Sequence, residues 1–304
     1  MKITFLGTGA GKPSKDRNLS AIALEVENEK GWYLFDAGEA TQHQILYTNL
    51  SLFSLKNIFI THLHGDHIFG LFGIITSRKL EDISTPLTIY SPKGLKDIIS
   101  SAIDISIDNL GYELNFVEVY GGFEREFENF KIIVVPMIHS VECYGYLIVE
   151  KEKFKLDAKK LQEDGLAPSK DYARLKNNEV IIKDNRVYKP EDYLIKLPSQ
   201  KLFIAGDNAN PFFLREYIKG IDLLIHESTY THEVKIKKEY LHSSAREVAM
   251  AASEFGIKNL ILTHISSRVS NEEILQEAKE FFENVFVAND FDSFYLKDGR
   301  CQLI

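Results

Sequence analysis

An α/β fold is predicted by three features of this 304-residue chain. Short β-like runs alternate with helical patterns along its length, several apolar runs break off at a potential metal donor, and 44% apolar with 26% charged residues is an ordinary globular composition. A chain this long can bury about three quarters of the surface its unfolded form exposes, which is enough for one large core. Residues 3–6, 21–26, 32–35 and 57–60 read as early strands. Helices are expected over 39–48, 68–79, 92–105, 211–219, 243–255 and 271–282. Ser243 and Asn271 stand where N-caps belong, and Glu272 and Glu273 would complement the dipole of the last helix. The order βββα early and βα late suggests two sheets covered by outer helices.

Charge is unevenly distributed. The chain carries 36 Lys+Arg against 44 Asp+Glu, a net −8 that argues against non-specific coating of nucleic acid but leaves local basic patches open. Residues 151–200 reverse the sign, with 12 basic and 9 acidic residues. Gly165, Pro168, Asn177-Asn178, Pro190 and Pro198 punctuate this segment. It is either a solvated insertion or an arm that meets a polyanion through counterion release. No run of ~18 apolar residues occurs, and the apolar start Met1 to Gly7 is too short for a secretory signal. Cys143 and Cys301 form no CxxC pair, so the expected location is the cytoplasm.

The chemistry concentrates in Thr61-His62-Leu63-His64-Gly65-Asp66-His67, which holds three of only nine histidines. Three imidazoles and a carboxylate at a strand end are costly unless exposed or bound to metal. On an extended strand His62 and His64 would project to one side and suit one ion. Gly65 permits a turn that aims Asp66 and His67 at a second. Such donors suit Zn²⁺, with Mn²⁺ and Fe²⁺ as weaker binders. Four donors cannot complete two sites. The apolar runs 132–138, 202–206 and 260–263 end in His139, Asp207 and His264, which places further donors along one rim.

With those three residues, the His-x-His-x-Asp-His motif resembles the metallo-β-lactamase superfamily, an αββα four-layer sandwich with a two-metal site at one edge. Narrower stretches resemble the ribonuclease Z family of tRNA 3′-processing endonucleases: Phe5-Leu6-Gly7-Thr8-Gly9-Ala10-Gly11, Pro13 with Arg17-Asn18, Phe35-Asp36-Ala37-Gly38-Glu39-Ala40-Thr41-Gln42-His43-Gln44, His226-Glu227-Ser228-Thr229, His242-Ser243-Ser244-Ala245, and Leu262-Thr263-His264-Ile265-Ser266-Ser267-Arg268. They cover nearly all of the chain outside 151–199, which takes the place of the family's protruding tRNA-binding arm.

The resemblance implies two Zn²⁺ per subunit. His62, His64 and His139 would hold one, Asp66, His67 and His264 the other, and Asp207 would bridge. It further implies that Asp66 accepts a proton from water, that His242 protonates the leaving 3′ oxygen, and that Glu227 orients His242. Phosphate contacts are expected from Arg17, Arg268 and the backbone of Gly7, Thr8 and Gly9. His43 is expected to pack or hydrogen-bond at the wall of the metal site and His226 to hold a neighbour; His232 has no motif around it. The implied reaction is hydrolysis of precursor tRNA just beyond its mature 3′ end, leaving a 3′ hydroxyl, by a homodimer. Three departures stand out: 165–169 lacks the adjacent Gly-Pro of the family arm, Asn208 follows Asp207 where the family has Thr, and Ser244 also replaces Thr. A phosphodiesterase or arylsulfatase of small esters, and a tRNA-binding protein with a silent site, are the competing readings.

Overall fold

A computed structural model describes residues 1–106, 109–236 and 241–304. The chain divides into two compact units, Met1–Val149 with Gln200–Ile304, and Glu150–Ser199.

The larger unit is built on two mixed sheets. The first has eight strands in the order Arg300–Leu303, Ser293–Lys297, Lys2–Gly7, Ala21–Glu25, Trp32–Phe35, Leu55–Phe59, Leu87–Ser91 and Leu114–Glu118. The second has seven, in the order Val285–Val287, Asn259–Thr263, Leu223–Glu227, Lys201–Ile204, Tyr144–Glu150, Phe130–Pro136 and Glu124–Glu126. Alternation along the strands decides what each face meets. Phe5, Phe35 and Phe59 of the first sheet meet Tyr146, Ile204 and Ile225 of the second in one core. Their outward neighbours Leu6, Leu34 and Ile58 lie beneath the helices Leu71–Leu80 and Leu95–Ser106. Phe203, Leu224 and Leu260 do the same on the far side, under Ala245–Glu254 and Asn271–Lys279. The result is the expected four-layer sandwich, and it explains why Leu223–Glu227 and Asn259–Thr263 are buried at every position. In the central core Phe59 stacks between Phe35 and Tyr90, with centroids 5.0 and 4.9 Å away. Emptying that position would cost about 3–5 kcal/mol.

Several boundaries differ from expectation. The strand before the metal motif ends at Phe59, so His62 and His64 are not strand residues. The helix expected over 68–79 is two, Gly65–Ile68 and Leu71–Leu80. Between them the Gly70 amide donates to the Ala37 carbonyl at 2.8 Å, and a Cβ there would sit 2.0 Å from the Gly38 oxygen. The 211–219 helix is a 3₁₀ turn, Pro211–Leu214, followed by Arg215–Ile218. Both expected N-caps are one residue off: Ser244 and Ser270 cap their helices, each in a reciprocal box with Glu247 or Glu273.

The smaller unit contains the antiparallel pair Lys153–Leu156 with Leu194–Leu197, the hairpin Ile181–Lys183 with Arg186–Tyr188, and the helices Ala158–Glu163, Lys170–Lys176 and Pro190–Tyr193. Leu156, Leu161, Leu166, Leu175, Ile181, Tyr188 and Tyr193 form an apolar core of its own. A segment that looks sparing of apolar residues in sequence thus has a core within its own unit. Among the described residues no helix is long and apolar enough to cross a membrane.

Candidate metal centre

Loops leaving the strands bring the donors together. Past Phe59 the chain turns through His62 and His64 and enters the single turn Gly65–Ile68, whose middle residues are Asp66 and His67. Phe130–Pro136, Lys201–Ile204 and Asn259–Thr263 run toward His139, Asp207 and His264. His264 adopts φ 55° and Asp36 φ 56°, left-handed conformations that cost about 1–2 kcal/mol each in non-glycine residues.

Two triads face opposite oxygens of Asp207. Oδ2 lies 3.7 Å from His62 Nε2 and 3.8 Å from His139 Nε2. His64 Nδ1 closes that group, 3.0 Å from His62 Nε2 and 3.3 Å from His139 Nε2. Oδ1 lies 3.6 Å from both His67 Nε2 and His264 Nε2. Asp66 Oδ2 completes the second group, 3.7 Å from His67 Nε2 and 3.5 Å from His264 Nε2. Donors 2.0–2.1 Å from a tetrahedral ion stand roughly 3.3 Å apart, so these spacings suit a cation in each cage. His67 Nε2 is buried without a hydrogen-bond partner, which is the cost such a cation would remove. All seven donors named from the sequence converge, and they form groups capable of holding metal.

Hydrogen bonds behind the donors fix which nitrogen faces inward. Asp36 Oδ2 accepts from His67 Nδ1 at 2.7 Å and from the Thr61 hydroxyl at 2.9 Å, and Oδ1 accepts from the Thr61 amide at 2.7 Å. With its own hydrogen directed at Asp36, Thr61 Oγ1 accepts from His62 Nδ1 at 2.9 Å. Thr229 repeats the device: its hydroxyl donates to Glu227 Oε2 at 2.7 Å and accepts from His264 Nδ1 at 2.9 Å. His139 Nδ1 donates to the Leu241 carbonyl at 3.1 Å. In their neutral form, four rings are thereby left with Nε2 as a lone-pair donor.

The field demands positive charge. Burial opposes ionisation of Asp207, but the surrounding His264, His67 and His62 rings hold its carboxyl well below the usual range. Burial likewise pulls His67 down, yet Asp36 and Asp207 outweigh it and push the ring up to about 10. His62 moves the other way, to about 2, through burial and the neighbouring His67. His242 Nδ1 stands 3.5 Å from Glu227 Oε1 and 3.7 Å from Asp207 Oδ2. Against burial, Glu227 raises His242 to about 9. Glu227 is held by the Ser243 amide at 2.6 Å and the Asn208 amide at 3.2 Å.

Other expectations fare differently. The Arg17 guanidinium donates to Thr8 Oγ1, to the Ala288 carbonyl and to Asn271 Oδ1, so it braces the loop beside the site. Of the backbone groups expected to meet phosphate, the Gly9 amide donates to the Asn18 carbonyl instead, and beside it the Thr8 hydroxyl donates to Asp290. Arg268 is exposed. His43 is exposed too, which overturns its reading as a wall residue; its neighbour Gln44 turns inward instead, donating to the Leu6 carbonyl at 2.7 Å and to Asp290 at 3.1 Å. His226, fully buried, faces the Asn208 side-chain amide at 3.1 Å. His232 opens the short helix His232–Ile236, its amide donating to Glu277. Asp36, Thr61, Thr229 and Asn208 are the supporting residues to which sequence reasoning gave no role. The Gly11 amide, at 2.8 Å from Asp66 Oδ2, is another.

Fold and donor set together define a metal-binding protein of the metallo-β-lactamase fold. Human tRNase Z, short form (ELAC1), superposes with a TM-score of 0.71 at 26% identity, covering 98% of this chain and 100% of that one. The metallo-β-lactamase fold protein YhfI from Bacillus subtilis gives 0.69 at 17% identity, covering 96% and 98%. A family model described as Anti-Pycsar protein Apyc1 matches residues 1–200. Proteins named Ribonuclease Z from Bacillus cereus strains AH187 and G9842 are 42% and 43% identical over 305 residues, spanning 97% of this chain and 99% of each relative. The chain belongs to the ribonuclease Z family of metal-dependent hydrolases, and its first 200 residues to the sequence family described as Anti-Pycsar protein Apyc1.

Proposed function

We propose that the chain is a two-zinc endoribonuclease that hydrolyses the phosphodiester just beyond the mature 3′ end of precursor tRNA, leaving a 3′ hydroxyl. The observation that carries the reading is the pair of donor triads on opposite oxygens of Asp207. When bound, two zinc ions supply Lewis acidity to the scissile phosphate and a nucleophile at neutral pH. The protein's own groups handle the protons. Asp66 accepts the proton of the attacking water, with Oδ2 kept in place by the Gly11 amide. His242, charged at neutral pH because Glu227 faces its Nδ1, donates to the leaving 3′ oxygen as the P–O bond breaks. The seven donors are the ligands, and Glu150–Ser199, with its net positive charge, is the arm that holds tRNA. Exposed Arg268 remains a candidate phosphate contact. Family likeness supports a cytoplasmic homodimer as the working form.

The test assays a 3′-extended precursor tRNA and bis(p-nitrophenyl) phosphate side by side, with wild type, His242→Ala and a deletion of 151–199. The deletion should abolish tRNA cutting and spare the small ester, and chelation should stop both. Equal loss on both substrates after deletion would remove the arm's docking role. Failure of metal-loaded wild type to cut tRNA would overturn the proposal in favour of a small-ester phosphodiesterase.

A further inference from the structure

We infer that the exposed ring of Phe69 is a stacking platform for one of the two nucleobases flanking the scissile phosphodiester. The inference rests on the endoribonuclease reading above. Phe69 closes the single turn Gly65–Ile68, its amide donating to the Gly65 carbonyl at 2.9 Å. The ring folds back over that turn, as aromatic side chains in helices do. A Cβ placed on Gly65 would meet ring carbons at 2.3, 2.6 and 2.8 Å. One part of the ring therefore lies against the residue between His64 and Asp66, which belong to the two different triads. Only a glycine there lets the ring approach so closely.

Phe69 is nevertheless 58% exposed, while Ile68 before it and Leu71 two residues on are buried. It stands at the lip of the site. Ile138, Val141 and Leu241, each within two residues of His139 or His242, are exposed as well. A polar floor is thus flanked in sequence by outward apolar side chains. A small phosphate ester would use only the floor. A nucleotide chain also brings π-faces a short distance from each phosphate, and an aromatic ring binds them with little regard to base identity. That tolerance suits substrates whose bases beside the cut differ from one precursor to the next.

The test is a cycle between protein and RNA, with metal content measured for every variant. Precursor tRNA intact, or abasic at either nucleotide beside the cut, is assayed with wild type, Phe69→Ala and Phe69→Trp. On intact RNA, Phe69→Ala should lose about 10- to 100-fold in kcat/KM and Phe69→Trp should retain most of it. At the stacked position the abasic change should cost wild type a similar factor and cost Phe69→Ala almost nothing. Equal abasic costs in wild type and Phe69→Ala at both positions would overturn the platform. If sedimentation then shows that Phe69→Ala alone dissociates a dimer, the ring belongs to a contact with a second copy instead. Wild type that cuts RNA without this coupling refutes only the platform, whereas wild type that fails to cut refutes the functional reading as well.

Discussion

Asp36 Oδ2 lies 2.7 Å from His67 Nδ1, and the same oxygen accepts the Thr61 hydroxyl whose lone pair faces His62 Nδ1. One buried carboxylate therefore orients one ring in each triad, although it belongs to neither. This arrangement makes the two cages mechanically dependent on a residue outside both.

Replacing that carboxylate should show it. Asp36→Ala is expected to weaken metal binding by about 10- to 100-fold, the usual effect of losing a partner behind a ligating histidine. Competition with a chromophoric chelator measures this directly. Unchanged affinity would mean that packing alone aims the rings.

The proposed proton donor, His242, depends on Glu227. Against burial, the adjacent carboxylate raises His242 to about 9, so on the proposed mechanism the activity that needs its proton falls on the alkaline side. Glu227→Gln keeps the acceptor oxygen but removes the charge, so the alkaline limb of kcat/KM should move to lower pH. A limb that stays in place would assign the proton donation to another group.

Asn208 ties several loops at once. Its side chain accepts the Ile138 amide at 3.2 Å and faces His226 Nε2 at 3.1 Å, while its backbone accepts the Ser243 hydroxyl at 2.6 Å and donates to Glu227. Asn208→Ala leaves buried partners unmatched and should cost about 1–3 kcal/mol. Thermal unfolding with metal present reads the loss as a fall of several degrees, and an unchanged Tm would show that water replaces the amide.

The arm's core offers a separate test. Leu161 is fully buried among apolar residues of its own unit, so Leu161→Ala should destabilise that unit by about 2–5 kcal/mol. Limited proteolysis should then cut within 150–199, with tRNA activity lost and small-ester hydrolysis retained. Parallel loss of both activities would mean that the damage reaches beyond the arm.

The seven donors were legible because each interrupts an apolar run or sits in a dense histidine motif, so burial and chemistry disagree at that position. Asp36, Thr61 and Thr229 carry no such contradiction: a polar residue beside a strand end has many uses, and only its hydrogen bonds reveal which. Caps slipped by one residue in Ser243-Ser244 and Ser270-Asn271 because either member of each doublet can cap. Ser243 is instead drawn to Asn208 and Glu227, and Asn271 to Arg17 and Asn289. His43 shares a helix with Gln44, which does turn inward, and six residues are too few for periodicity to separate them. The arm's core was hidden because seven apolar residues spread over fifty positions look sparse until paired strands gather them.

The arm interrupts the chain between Val149 and Lys201, which are cross-strand partners in an antiparallel pair. Its two ends therefore leave the sandwich from adjacent points, as the ends of a tight turn would. A graft that swapped this module for one of different length, or for two residues, should keep Val149 and Lys201 as partners. On the proposed reading, substrate range can be rewritten at this one seam.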